Sequence, residues 1–159
     1  MESFGKLIEK TRLIAILRGI PSDDLCHVLD ILSDNGIRLA EITFDNSGLY
    51  PAEKTAADIK RAVTHMSGKI RVGAGTVTTV RELMLASGAG AEFIISPNTD
   101  PLIIGQTKQF GMISIPGAFT PSEVVAAEQA GADYVKLFPV SSLGPEYVKS
   151  ILAPLNCVK

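Results

Sequence analysis

The sequence contains no tryptophan and only two cysteines, Cys26 and Cys157, among its 159 residues. The cysteines stand far apart and outside any Cys-x-x-Cys or histidine-rich spacing, so neither a disulfide framework nor a structural zinc site is expected. Lysine and arginine number 15 against 17 acidic residues, giving a formal net charge of -2. Because no run of Lys and Arg provides a basic surface, nucleic acid is not an expected partner.

Long apolar runs are also missing. No segment approaches the roughly 18 consecutive apolar residues of a membrane helix, and the N-terminus leads into a charged amphipathic stretch rather than an apolar signal core. We therefore expect a cytoplasmic protein with no membrane partner. With 46% hydrophobic and 20% charged residues, the chain can bury a sizeable core, and a single domain over residues 1–159 is expected.

Short apolar runs alternate with segments whose apolar residues lie three and four positions apart. This spacing predicts helices within 25–32 and 59–66. Capping residues before a proline or a capping-box glutamate predict helix starts at 79–82, 100–101 and 120–123. Helix ends are predicted at Gly36, Gly68, Gly88, Gly111 and Gly131. The predicted strands are 13–17, 39–44, 70–72, 93–95, 112–115 and 134–138.

These elements form six βα units, which implies an α/β fold with parallel strands and right-handed crossovers. Two folds fit this order, a doubly wound sheet and a (β/α)8 TIM barrel. Polar residues at successive strand ends favour the barrel, in which reactive side chains lie at the C-terminal ends of the strands. The strand face that a polar residue occupies therefore predicts whether its side chain points into the barrel.

Lys136 lies in an apolar strand, on the face that also carries Tyr134 and Phe138. Desolvation disfavours the ammonium form and leaves more free amine, which is the form that attacks a carbonyl carbon. A lysine that reaches water at the strand end, or one held in a structural ion pair, would give the same pattern. The strand alone does not decide between these interpretations.

Glu41 has an equivalent inward position on the second predicted strand, where it shares a face with Thr43. Beside a neutral lysine, its carboxyl group could transfer protons during carbinolamine formation, dehydration and carbon–carbon cleavage. The structural alternative is a salt bridge from Glu41 to Lys136 or Arg18. The two interpretations are compatible.

Other residues at strand ends could bind a substrate. Arg18 could hold a carboxylate through two hydrogen bonds, although a solvated loop arginine would look alike. Thr76 follows a glycine turn and could donate to a substrate oxygen, but a plain strand-to-helix turn has the same sequence. A partly apolar pocket suited to a pyruvyl group would be walled by the prolines that follow three successive strands, Pro97, Pro116 and Pro139.

In this order, the motifs resemble the bacterial family of 2-dehydro-3-deoxy-phosphogluconate and 2-dehydro-3-deoxy-6-phosphogalactonate aldolases, some of which also cleave 4-hydroxy-2-oxoglutarate. The resemblance covers essentially the whole chain. Several motifs in register are far more specific than any one alone. They are Ile14–Gly19, Glu41–Thr43, Val72–Val77, Ile95–Pro97, Ile115–Gly117, Thr120–Glu123 and Val135–Pro139.

The resemblance implies a (β/α)8 barrel, usually a trimer, and a class I aldolase that uses no metal or other cofactor. Lys136 would form an imine with the substrate's keto group and Glu41 would act as acid and base. A 2-keto-3-deoxy-6-phospho sugar acid would give pyruvate and glyceraldehyde 3-phosphate, and 4-hydroxy-2-oxoglutarate would give pyruvate and glyoxylate. The positions that match the family's pyruvyl site are Arg18, Thr76, Pro97 and Phe138.

The sequence departs from the family pattern in two places. Some gluconate-type members carry an arginine where this chain has Asp45, while residues 16–19 and 97–98 lean toward the galactonate type. Family members also continue for several tens of residues beyond the position of Lys159, through two strands where phosphate binds. We therefore expect the last two strands to be missing or incomplete, with residues 155–159 entering the seventh and the barrel edges exposed.

Three functions fit these expectations. The chain could be an active aldolase completed by other residues or another subunit, a weakly active form without the phosphate site, or a non-catalytic binding or assembly subunit. Glu41 and Lys136 pointing away from each other would favour the third. Another barrel enzyme that acts on a phosphorylated sugar, such as an isomerase, is less expected, because an isomerase has no evident need for an embedded lysine.

Overall fold

The computed structural model describes residues 3–141 and 143–155. Helices and strands alternate as predicted, and a further helix precedes the first strand. The helices are α1 (Phe4–Thr11), α2 (Leu25–Asp34), α3 (Ala52–Met66), α4 (Val80–Gly88), α5 (Pro101–Gln109), α6 (Pro121–Gln129) and α7 (Gly144–Leu152). The strands are β1 (Ala15–Leu17), β2 (Leu39–Thr43), β3 (Arg71–Gly75), β4 (Phe93–Ile95), β5 (Ile113–Ile115), β6 (Gly117–Ala118) and β7 (Lys136–Leu137).

The strands are parallel and follow one another in chain order. β1 to β5 form one sheet, and β6 pairs with β7 in a second. The predicted fifth strand, 112–115, is β5, and a short strand that was not predicted, β6, follows Pro116, which has no backbone N–H to donate. The backbone N–H groups of Lys136 and Phe138 donate to the carbonyls of Pro116 and Ala118, each at 2.9 Å, and so continue the order. The arrangement is TIM-barrel-like; within the described residues, β1 and β7 do not pair and the barrel is not closed.

Apolar side chains pack on both faces of the sheet. On the inner face, the ring of Phe4 lies 5.3 Å from that of Phe93 and 5.8 Å from that of Tyr134, so α1 covers the N-terminal end of the barrel. No pattern predicted this role for α1. The larger cluster lies between the outer face and α2 to α5, and includes Leu29, Ile42 and Ile59.

Helix boundaries follow the predicted capping residues. Thr79 and Thr120 each form a complete capping box with the glutamate three positions later. The predicted end at Gly88 is confirmed, since this residue is the last of α4, and the left-handed conformation falls two positions later on Gly90. The other predicted terminal glycines have positive φ angles: Gly36, Gly68, Gly111 and Gly131.

The segment that carries β7 is fastened to the rest of the fold by Asp133. Its Oδ2 atom accepts hydrogen bonds from the backbone N–H of Ser114 at 2.8 Å and from Nζ of Lys108 at 2.5 Å. Ala118, Val124 and Ile151 form a small separate cluster behind β6 and β7. The predicted start of a seventh strand lies outside the described residues apart from Leu155. In the part of the chain that the structure describes, no helix is long and apolar enough to span a membrane.

Candidate active site

Glu41 lies on the inner face of β2 and is only 2% exposed. Its Oε2 atom is buried without a hydrogen-bond partner. A Cβ atom at Gly75, on the neighbouring strand β3, would lie 2.3 Å from Oε2. Glycine at position 75 therefore leaves the space that the carboxyl group occupies, and the unpaired oxygen is available to a ligand or a transferred proton.

Two cations influence this carboxyl group. Burial raises the pKa of Glu41 above its ordinary value, and the positive charges of Lys136 and Arg18 partly offset that rise. Within the described residues no ion pair joins Glu41 to either cation. Both predicted cations therefore influence Glu41 electrostatically, without the salt bridge of the structural alternative.

Lys136 lies on β7, with its Nζ atom 4.6 Å from the ring centroid of Phe138. The two side chains share a strand face, as their spacing predicted. Lys136 is half-buried, and Phe138 is 41% exposed. The prediction of an embedded lysine is met only in part, because the side chain is half-buried and β7 has a single strand neighbour within the described residues.

Arg18 and Thr76 line a cleft of about 400 Å³ at the C-terminal ends of β1 to β3. Thr43, which shares the inner face of β2 with Glu41, lines the same cleft, whereas Glu41 and Lys136 do not. Thr76 has a φ angle of 59°. That left-handed conformation is costly for a β-branched residue, and such strain is concentrated at functional positions.

Asp45 organises the loop between β2 and α3. Its carboxylate accepts hydrogen bonds from the backbone N–H and hydroxyl of Ser47, at 2.9 and 2.7 Å, and from the backbone N–H of Tyr50 at 2.9 Å. These bonds, chiefly those from Ser47, lower the pKa of Asp45. The side chain is engaged within the loop, a role that its Asp-x-Ser spacing could have predicted.

Pro97 follows β4 and is not among the residues that line this cleft. Its carbonyl oxygen would lie 2.4 Å from a Cβ atom at Gly117, the residue that pairs in register with Lys136. Pro97, Gly117 and Lys136 therefore lie in a row across adjacent strand ends. Among the described residues, no cluster of His, Cys, Asp and Glu could hold a metal ion.

The fold is a TIM-barrel-like α/β architecture, and the candidate site groups the buried Glu41 with the more exposed Lys136 and Arg18. The family model described as KDPG and KHG aldolase matches residues 5–159. The chain belongs to this family, whose curated relatives are named aldolases and are therefore lyases.

The 2-dehydro-3-deoxy-6-phosphogalactonate aldolase of Escherichia coli K12 is 34% identical over 147 residues, covering 92% of this chain and 68% of that protein. A solved native KDPGal structure has a TM-score of 0.80 and 34% identity, covering 89% of this chain and 66% of that one. A KDPG aldolase from Legionella pneumophila, solved with pyruvate captured as a covalent carbinolamine, has a TM-score of 0.86 and 23% identity, covering 99% and 74%. The chain thus spans about two thirds of the length of its relatives.

Proposed function

We propose that this chain forms a Schiff base with a 2-keto acid through Lys136 and belongs to a class I aldolase that cleaves a carbon–carbon bond next to the imine. The observation that carries the proposal is the buried, unpaired carboxyl group of Glu41 beside the charge of Lys136. An amine and a carboxyl group with a raised pKa provide a nucleophile and a proton donor at one place.

In the first step, the free amine of Lys136 attacks the substrate's C2 keto carbon and gives a carbinolamine. Glu41, whose raised pKa keeps a proton available at higher pH than an exposed glutamate would, donates to the departing hydroxyl group, so that water leaves and an iminium forms. The carbinolamine captured in the Legionella pneumophila protein is the species this step would produce here.

In the second step, Glu41, now ionised, removes the proton from the hydroxyl group on C4. The C3–C4 bond breaks and an aldehyde leaves. The electron pair of that bond moves through C2 to the nitrogen, giving an enamine. Protonation of C3 and hydrolysis of the resulting iminium release pyruvate and the free lysine. Arg18 and Thr76 would bind the substrate's carboxylate and oxygen atoms, and Pro97 and Phe138 would line the pyruvyl group.

For the substrate we propose a 2-keto-3-deoxy-6-phospho sugar acid, which would yield pyruvate and glyceraldehyde 3-phosphate. The phosphogalactonate aldolase of Escherichia coli supports the choice of this class. Cleavage of 4-hydroxy-2-oxoglutarate to pyruvate and glyoxylate is a second activity of the same site. A homotrimer in the cytoplasm remains a prediction from the resemblance.

The test is reductive trapping with pyruvate and borohydride, read by intact mass and peptide mapping. Wild-type protein should gain one stable pyruvyl adduct on Lys136, whereas Lys136→Met should gain none. Lys149→Met, which removes an exposed lysine on α7, is the matched control and should be trapped like the wild type. An unlabelled Lys136 under conditions that label a full-length relative would overturn the proposal.

A second candidate is a non-catalytic subunit that assembles with another protein through the exposed strand edge. Ile16, on β1, is 56% exposed, and Leu13 just before that strand is exposed as well. The electrostatic influence of Lys136 on the Glu41 carboxyl group weighs against this candidate. Trapping without turnover of the phosphorylated substrate would instead favour the weakly active form.

A further inference from the structure

Four cations meet at the N-terminal end of the barrel, opposite the end that carries Thr43 and Gly75. They line one open pocket of about 640 Å³, in which no acidic residue of the described chain takes part. The pocket is positively charged, although the whole chain has a formal net charge of -2. It was not predicted, because its cations come from three separate segments of the chain: Lys10, Arg38, and Lys69 with Arg71.

The two arginines are held in place by the fold. Nη1 of Arg38 donates to the carbonyls of Ser33 and Ile37 at 2.7 and 2.8 Å. Nε of Arg71 donates to Oε2 of Glu92 at 2.6 Å, and its guanidinium lies 5.3 Å from the ring centroid of Phe4. A guanidinium has five N–H donors, so both arginines keep further donors for a ligand. Donors fixed in advance cost less entropy on binding.

The two lysines lie exposed at the rim. No carboxylate of the described residues is within ion-pair distance of Lys10 or Lys69. The C-terminal ends of α1, α2 and α3 lie at this end of the barrel, and each contributes about half a negative charge that falls off within the last turn. Together with the carboxylate of Glu92, these partial charges do not cancel four full positive charges.

We propose that this pocket binds a small anion carrying a phosphate or diphosphate group. Two guanidinium groups match the geometry of phosphate oxygens, and two mobile ammonium groups can close over the same charge. β3 runs from Arg71, at the pocket, to Gly75, beside the carboxyl group of Glu41. The length of strand between these two residues is about 13 Å. The pocket is a separate site and does not depend on the proposed aldolase chemistry.

The test is a titration with inorganic pyrophosphate at low ionic strength, followed through the backbone amide signals of Gly36 and Gly68 by NMR. These two glycines line the pocket. Wild-type protein should show saturable shifts, and the double variant Lys10→Gln/Lys69→Gln should raise the Kd at least about fivefold, as expected for two exposed charge contacts. Arg18→Gln should leave the titration unchanged.

The matched control is Lys60→Gln/Lys149→Gln, which removes the same charge from exposed sites outside the pocket. Its Kd should equal that of the wild type. Equal weakening in both double variants would mean diffuse charge attraction and would overturn the proposal. So would shifts that do not saturate, or shifts confined to residues around Arg18 and Lys136.

Discussion

A Cβ atom at Gly75 would lie 2.3 Å from Oε2 of Glu41 and 3.0 Å from Cγ2 of Thr43. Real atoms do not approach so closely, so the backbone of β3 comes nearer to these side chains than any other residue type would allow. The position of the proposed acid–base group is therefore set by the adjacent strand as well as by its own.

Gly75→Ala is expected to displace the carboxyl group of Glu41. The overpacking should lower the free energy of unfolding by about 1–3 kcal/mol, and borohydride trapping of pyruvate should slow because the proton donor has moved. Denaturant unfolding and the trapping rate measure the two effects. Gly105→Ala on α5 is the control, since nothing lies within 4 Å of its Cβ position; it should raise stability by about 0.5–1 kcal/mol. A stable Gly75→Ala protein trapped at the wild-type rate would contradict this account.

Glu41→Gln is expected to change how stability depends on pH. Burial raises the pKa of Glu41 in the folded state above its ordinary value of 4.5, so the folded protein binds this proton more tightly than the unfolded chain does. The free energy of unfolding of the wild type should therefore fall, relative to Glu41→Gln, as pH rises from the ordinary value through the raised one. Denaturant unfolding at several pH values measures the difference, and a difference independent of pH would contradict it.

Glu123→Gln provides a comparison of opposite sign. Hydrogen bonds from the Thr120 and Phe119 backbone N–H groups and the Thr120 hydroxyl lower the pKa of Glu123. The contribution of Glu123 to the free energy of unfolding is therefore present above its ordinary pKa of 4.5 and is lost as pH falls through its lowered pKa. The same unfolding series should show the wild type losing stability relative to this variant on acidification.

Asp45→Ala is expected to loosen the loop between β2 and α3. The change removes the acceptor for three hydrogen bonds from Ser47 and Tyr50. Leu49, at the loop tip, is 86% exposed, and chymotrypsin should cleave after it faster in the variant. Asp45→Asn keeps one acceptor oxygen and should cleave at an intermediate rate. Equal rates in all three proteins would show that the loop is held by other contacts.

Asp133→Ala is expected to destabilise the segment that carries Lys136. It removes the side-chain acceptor of the Ser114 N–H and leaves the ammonium of Lys108 with only the Met112 carbonyl as acceptor, at a cost of about 1–3 kcal/mol. Asp133→Asn keeps an acceptor for Ser114 but loses the charge, so its unfolding midpoint should fall between those of the wild type and Asp133→Ala. Unchanged midpoints in both variants would contradict the role of Asp133.

Much of the fold was predictable because local physics and the final structure agree. Apolar spacing and capping boxes such as Thr79 with Glu82 fix the type and start of an element with little help from distant residues. Alternation along a strand likewise predicted that Glu41 faces inward and that Lys136 and Phe138 share a face.

What remained unpredicted depends on residues far apart in the chain. The close approach of Gly75 to Glu41 and the gathering of Lys10 with Arg71 arise only when strands and helices pack, and a single sequence carries no signal for either. Gly88 does end α4 as predicted, whereas the left-handed residue after that helix is Gly90, a second glycine two positions later.

The interruption at Pro116 divides the proposed reacting groups between two parts of the molecule. Glu41 belongs to the five-stranded sheet and its large core, whereas Lys136 lies in a two-stranded piece backed by a small cluster. Regions with few buried contacts open at lower free energy than the global unfolding reaction. Amide hydrogens at 136–138 should therefore exchange with solvent sooner than those at 39–43. The fraction of time that the weaker piece is closed then limits how often the amine and the carboxyl group are together.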